Sequence, residues 1–348
     1  MSPTRRRAAR KLRVLTLVHP GHVPPESLDG FSEREALVWR AEYDVVKCLR
    51  EMGHDVYPLG VQEELLPIRN AVASYKPHVV FNLLEQFLGD ALYDHAIVSF
   101  LELLRAPYTG CNPRGLVLSR GKALSKKLLA YHRLRVPAFA VFPRGRAVRR
   151  SARLPFPLIV KSLTEHASLG IAKASLVHGD AELAERVRFI HEHVRTDAIA
   201  EQFIDGRELY VSVLGNERLE TFPTWELVIE KAAADEPLIA TEKVKHDLGY
   251  QERRGVRIGA AGLAADVERR LAHDAKRIYR ILELSGYARI DFRLDAEGRA
   301  WFLDANPNPD ITESEELASA AKAAGVPYAE LLRRIVNLGM RGTKPAAD

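Results

Sequence analysis

The sequence predicts an α/β fold, doubly wound near its N-terminus and α+β toward its C-terminus. Three observations carry this prediction. Short apolar runs alternate with helical patterns from residue 11 to about residue 118, as strands and crossover helices do in a parallel sheet. Later strand patterns come in close pairs around short turns, as antiparallel hairpins do. Hydrophobic residues make up 47% and charged residues 28% of the 348 residues, a mix that builds packed cores and excludes a disordered chain.

The elements follow in order. Arg13-Val-Leu-Thr-Leu-Val18 is an apolar run closed by His19-Pro20-Gly21, which predicts a buried strand entering a loop. Residues 42–52 carry Val45, Val46 and Leu49 at helical spacing, with Gly53 as the stop signal. Strands at 55–58 and 77–82 and a helix at 96–104 complete the first part. A helix is expected at 122–132 and a strand at 156–161, then a loop and a short segment at 171–175. A charged helix at 180–193 follows, and strands at 197–204 and 208–214 form a hairpin around Asp205-Gly206. A long helix at 267–284 precedes a final hairpin at 287–303.

The net charge of +5 is concentrated at one end. Arg5, Arg6, Arg7, Arg10, Lys11 and Arg13 lie there with no acid among them, so the rest of the chain is slightly acidic. A nucleic-acid binder carries its basic face on the folded part, so nucleic acid is not an expected partner. The tail reads as a solvated arm. No apolar run reaches the ~18 residues a membrane helix needs, and no secretory signal opens the chain. Cys48 and Cys111 are too few for a disulfide framework or a cysteine-rich zinc site. A cytoplasmic setting without membrane contact is therefore expected.

The last hairpin carries the chemistry. With Asp295-Ala-Glu-Gly298 as its turn, Leu294 faces Arg299, Arg289 faces Asp304 and Asp291 faces Phe302. Side chains alternate faces along a strand. Arg289, Asp291 and Asp304 therefore share one face, with Asn306 joining if the chain stays extended. Ile290, Phe292, Leu294, Trp301 and Leu303 take the buried face. Two carboxylates and an amide oxygen are hard ligands of the kind Mg²⁺ prefers; Arg and Asp on a strand also make ordinary surface salt bridges. The rigid Asn306-Pro-Asn-Pro309 segment favours a site. Lys161, at the mouth of an apolar strand, is either a snorkelling cap or a point charge for phosphate. Glu201 and Glu208 flank the Asp205-Gly206 turn, where exposed hairpin charges are the simpler reading. His191 and His193 are two apart and face different ways, so they are poor joint metal ligands.

The order of these pieces resembles the ATP-grasp superfamily, and within it the D-alanine–D-alanine ligase-like branch. The resemblance spans about residues 13–335. It rests on Leu158-Ile-Val-Lys161, Ala288-Arg-Ile-Asp-Phe292 and Phe302-Leu-Asp-Ala-Asn-Pro307. It implies an ATP-grasp fold behind an N-terminal Rossmann-like domain at 13–118, with subdomains at 119–205 and 206–336 and tails at 1–12 and 337–348. It implies a ligase that uses ATP to join a small-molecule carboxylate to an amine through an acyl phosphate, and it admits a homodimer. Asp291, Asp304 and Asn306 would hold one or two Mg²⁺ ions, with Mn²⁺ as a substitute. Lys122, Lys161 and Lys245 would contact the phosphates, and Ser168 and Gly170 would lie in the loop covering them. Glu201, Gln202, Phe203 and Ile204 would line the adenine pocket, Ile159 and Leu303 would pack on its faces, and Glu208 would bind the ribose. Arg289 would stabilise charge on the reacting carboxyl group. The alternative is a nucleotide-binding homologue with a regulatory role and little turnover.

Departures from the family pattern narrow the expectation. Gly121 stands where the family often has Asp, Asp304 where it often has Glu, and Ala167 in place of a serine. Asp310, Glu315 and Glu316 make the segment after Pro309 acidic, which should disfavour a bare carboxylate and favour an amine-bearing substrate. Ser32-Glu-Arg-Glu35 resembles the family's amine-binding segment with a one-residue slip. Glu33 or Glu35 would then hold an ammonium group, unless both are exposed helix charges.

Overall fold

The computed structural model describes residues 10–164, 170–233 and 236–342. The chain divides into two compact units: 1–110 with 311–313 and 327–348, and 111–310 with 314–326.

The first unit opens with strand β1 (Arg13–Val18). A short helix α1 (Glu33–Ala36) leads to α2 (Arg40–Glu51), then β2 (Asp55–Gly60), α3 (Leu66–Tyr75), β3 (Val79–Asn82) and α4 (Asp94–Leu103). The strands form a parallel sheet in the order β2-β1-β3. Val14, Leu15, Leu17 and Val18 have no exposure, because β1 is the central strand and both its faces are covered. Pro58 is tolerated because β2 is an edge strand. Val45, Val46 and Leu49 of α2 face the core as their spacing requires. Ser32 and Glu35 form a capping box at α1, in which the Glu35 carboxylate accepts from Ser32 N at 2.8 Å and Ser32 Oγ at 2.6 Å. Glu33 is exposed. Here both acids are helix-end charges.

The second unit starts with α5 (Pro113–Arg120) and α6 (Lys122–Tyr131). A four-stranded sheet follows, built from β4 (Phe139–Phe142), β5 (Leu158–Ser162), β6 (Leu176–Val177) and β7 (Ala198–Gln202), with α7 (Asp180–Phe189) before β7. It is antiparallel in the order β4-β7-β5-β6. Leu183, Val187 and Ile190 pack onto Leu158, Val160 and Ala200. The expected helix at 180–193 ends in a π-helical turn at Ile190–Val194. There His191 Nε2 donates to Phe142 O at 2.8 Å and the His193 ring stacks on Phe189, so both histidines are structural.

A six-stranded antiparallel sheet forms the rest of this unit. It comprises β8 (Arg207–Leu214), β9 (Glu220–Thr221), β10 (Trp225–Ile229), β11 (Val256–Ala260), β12 (Tyr287–Leu294) and β13 (Ala300–Pro307). Helices α8 (Glu242–His246) and α9 (Leu248–Arg254) connect β10 to β11, and α10 (Ala265–Ile281) precedes β12. The order is β11-β10-β8-β12-β13, with β9 paired to β8. The expected hairpin around Asp205-Gly206 does not form: β7 and β8 lie in different sheets. The turn carries the chain from one sheet to the other. Gly206, at φ +140°, is required there, since a Cβ would lie 2.1 Å from Leu294 O.

After α11 (Glu316–Ala323) comes α12 (Tyr328–Gly342), the last element among the described residues. This helix belongs to the first compact unit. Its buried face of Leu331, Leu332, Ile335 and Val336 packs toward β3 and α2. Gly339 permits this approach, because a Cβ there would meet Tyr108 O at 2.4 Å. Among the described residues no helix is long and apolar enough to cross a membrane.

Candidate active site

The second unit contains a cleft where its two sheets bring charged side chains together. Lys122, Lys161, Lys245, Arg293, Glu201, Glu208, Asp291, Asp304 and Asn306 line it. Ile159, Ile171, Phe203, Ile204, Ile239 and Leu303 give it apolar walls, completed by Gln202, Ser162 and Ala240.

On the four-stranded sheet, β5 pairs Ile159 opposite Glu201 of β7. Glu201 is fully buried between two ammonium groups: Lys161 Nζ at 3.0 Å and Lys126 Nζ at 3.4 Å. Burial alone would raise the Glu201 pKa, but the two lysines outweigh it and hold the carboxylate below its ordinary range. Burial lowers Lys126, whereas Glu201 overcomes the same penalty at Lys161 and holds it above the usual value. Lys126 also donates to Leu303 O at 2.5 Å and lies over the Phe302 ring. Lys122, one helical turn earlier on α6, puts Nζ 3.8 Å from Asp304 Oδ2. Both Glu201 and Glu208 are buried, which overturns their reading as exposed hairpin charges.

The register of β12 and β13 differs from expectation in two steps. The connection is one residue longer, so Leu294 pairs with Ala300. Asp295 organises it, accepting from Arg299 N at 2.8 Å, Arg299 Nε at 2.6 Å and Trp301 Nε1 at 2.8 Å. A bulge then shifts the pairing again between Asp291 and Phe292. Asp291 now faces Asp304 directly, and Arg289 faces Asn306. All four still share one face. Two residues assigned to the buried face are moved: Leu303 lines the cleft and Trp301 is half-buried at the hairpin end.

Asp291 is the centre of this face. Arg289 donates to both its oxygens, at 2.8 and 3.1 Å, and Asn306 Nδ2 donates to Oδ2 at 3.0 Å. That bond leaves the Asn306 amide oxygen available as a ligand. Burial pushes the Asp291 pKa up against the opposing effect of Arg289, and Asp304 adds like-charge repulsion. A cation between these acids would remove both penalties, so the residues fit a divalent ion. Among the described residues no cluster of three or more His, Cys, Asp or Glu is placed to hold a metal. A cation here would take two carboxylates and an amide oxygen, and phosphate or water would complete its shell.

The remaining expected residues fall in several places. Lys245 reaches the cleft from α8, which Thr241 caps by accepting from Val244 N. Arg289 sits behind the lining, pairing with Glu316 at 3.3 Å and lying 4.7 Å over the Tyr210 ring. Gly170 is outside the cleft lining, and its N–H donates to Glu242 at 3.2 Å on the helix that carries Lys245. Ser168, with Ala167, lies outside the described residues. In the acidic segment, Arg289 lowers the Glu316 pKa against burial, while burial and Glu316 raise that of Glu315. Three residues here were not anticipated. Lys126 is signalled by its i, i+4 spacing from Lys122, Arg293 by its place two residues after Asp291, and Tyr210 by its place two after Glu208.

Residues 128–337 match the family model described as D-ala D-ala ligase C-terminus. A D-alanine–D-alanine ligase of Bordetella petrii is 36% identical over 247 residues, covering 70% of this chain and 71% of that one. An uncharacterised protein of Sinorhizobium fredii is 31% identical over 306 residues, covering 85% and 86%. The crystal structure of a D-alanine–D-alanine ligase from Bacillus anthracis, complexed with ATP, aligns with a TM-score of 0.74. It is 20% identical and covers 95% of this chain and 98% of its own.

Proposed function

We propose a function for this chain from one premise: it belongs to the D-alanine–D-alanine ligase family. It is an ATP-dependent ligase of that kind, and we assign its second unit the task of joining amino acids or related small molecules through an acyl phosphate. The observation that carries the assignment is one cleft lined by both a lysine cluster and the Asp291, Asp304 and Asn306 face.

A carboxylate is a poor acyl donor because its leaving oxygen is too basic. Attack of a carboxylate oxygen on the γ-phosphorus of ATP breaks the bond to ADP and makes an acyl phosphate. An amine then attacks the carbonyl carbon, loses a proton and expels phosphate, leaving an amide. Both steps concentrate negative charge, which fixed positive groups stabilise without reorganising. In this chain Lys122, Lys161 and Lys245 would face the phosphates, and Arg289 would face the reacting carboxyl group. Asp291, Asp304 and Asn306 would hold Mg²⁺, which supplies charge neutralisation on the phosphates. Glu208 would take the ribose hydroxyls. Gln202, Phe203 and Ile204 would line the base, with Ile159 and Leu303 on its faces. Ser168 and Gly170 would cover the phosphates. A cytoplasmic setting, where amino acids and ATP are at hand, accompanies this reading.

The test is phosphate release from ATP across a panel of D- and L-amino acids and amines, singly and in pairs. Amino-acid-dependent release with a new amide in the mass spectrum is expected. Nucleotide binding with no release across the panel would instead favour the regulatory alternative.

A further inference from the structure

We propose that Tyr210 is a positioning residue for two groups of the site, its hydroxyl holding Glu208 for the ribose and its ring holding Arg289 for the reacting carboxyl group. This rests on the ligase reading above. Tyr210 is 2% exposed in the middle of β8. Strand alternation puts Glu208, Tyr210 and Ser212 on one face. The register sets Glu208 opposite Arg293, Tyr210 opposite Asp291, and Ser212 opposite Arg289. Tyr210 therefore stands between the two groups it touches.

A carboxylate that grips two vicinal hydroxyls needs a fixed orientation and an acceptor position on each oxygen. The Tyr210 hydroxyl donates to Glu208 Oε1 at 3.0 Å, and Arg293 donates to Oε2 at 2.9 Å. One donor on each oxygen stops the carboxylate rotating and leaves each a second lone pair for a sugar hydroxyl. The other contact uses the ring face. The Arg289 guanidinium lies 4.7 Å from the ring centroid, while its N–H groups go to Asp291 and Glu316. A ring against its face and carboxylates along its edge define the plane of a flat cation.

The two contacts separate by substitution. Tyr210→Phe removes only the hydroxyl, and Tyr210→Leu removes the ring as well. Nucleotide titration and steady-state kinetics are run with ATP and with 2′,3′-dideoxy-ATP, using the amino-acid pair that supports phosphate release. Tyr210→Phe is expected to weaken ATP binding and raise its KM on the order of threefold to tenfold, with little change in kcat. That penalty should vanish with the dideoxy nucleotide. Tyr210→Leu should add a fall in kcat of roughly tenfold. The Phe variant keeps the ring volume, so the hydroxyl arm stands even where the Leu variant loses stability. A Phe penalty of equal size with both nucleotides, or none with ATP, would overturn the role of Tyr210 alone. Equal binding of the two nucleotides by the wild type would overturn the placement of ribose at Glu208, and the proposal with it.

Discussion

The two sheets of the second unit each bring a buried charge cluster to the cleft, and the clusters are unbalanced in opposite directions. Beside β5 and β7, Lys126 and Lys161 share the single carboxylate of Glu201. On β12 and α11, the single guanidinium of Arg289 is shared by Asp291 and Glu316. Lys122 and Asp304 add one charge of each sign. Buried charges persist when partners offset the cost of leaving water. Unequal numbers leave a surplus for a ligand to satisfy, an anion on the first sheet and a cation on the second. A phosphate chain carrying a divalent ion meets both demands.

The largest expected effect on turnover comes from breaking the acidic cluster. Asp291→Asn removes the charge of a proposed metal ligand and loosens Arg289 together. It should cost about 3–4 kcal/mol of transition-state stabilisation, on the order of a hundredfold to a thousandfold in kcat/KM for phosphate release. Chelation of divalent ions should abolish turnover in the wild type, and added Mg²⁺ or Mn²⁺ should restore it. Turnover that survives chelation, or a variant within a few-fold of wild type, would show that the surplus on this sheet has another use.

The basic cluster is broken from its centre. Glu201→Gln leaves two buried ammonium groups without their carboxylate and should destabilise the fold by about 3–5 kcal/mol, read from chemical denaturation. Replacing Lys126 and Glu201 together with Met and Leu should recover part of that loss, because only Lys161 is then left without its carboxylate. A single variant as stable as wild type would mean that water already compensates the lysines.

Local pattern carried part of this arrangement. Run, period and stop signals located β1, α2 and the β12–β13 hairpin, because each is a short-range property of the chain. The four polar residues of that hairpin were placed on one face although the assumed register was wrong. The longer connection and the bulge at Leu303 add two one-residue shifts, and together these restore the parity. The crossing at Asp205-Gly206 was not legible. A Gly-containing turn between two strands looks the same whether the strands pair or enter different sheets, and only the contact of Gly206 with Leu294, 88 residues on, decides it. Burial of Glu201 and Glu208 was hidden for the same reason, since their partners Lys126 and Arg293 are far apart in sequence. Tyr210 acquires its position from the β8–β12 register, which no local signal specifies.

The smallest expected effect comes from Asp295, which tests whether the first two owe their size to the cleft. Asp295 sits at the far end of the hairpin that carries Asp291, and it too is bound by an arginine. Burial acts to raise its pKa, but hydrogen bonds from Trp301 and Arg299 prevail and bring it from 3.8 to about 2. The folded value is below the unfolded one, so the ionised group stabilises the fold above the ordinary carboxylate range. That contribution is lost as pH falls toward 2. Arg299 is half-exposed, so solvent screening keeps the gain small. Asp295→Asn should lower the melting temperature at neutral pH by roughly 2–4 °C, as a loss of about 1 kcal/mol would in a unit of this size. The gap between variant and wild type should narrow as pH drops from about 4 to about 2, and kcat should not change. A gap independent of pH would assign the effect to turn geometry instead of charge. A fall in kcat would mean that the hairpin transmits strain along its length, so the Asp291 result could no longer be credited to the charge at that position.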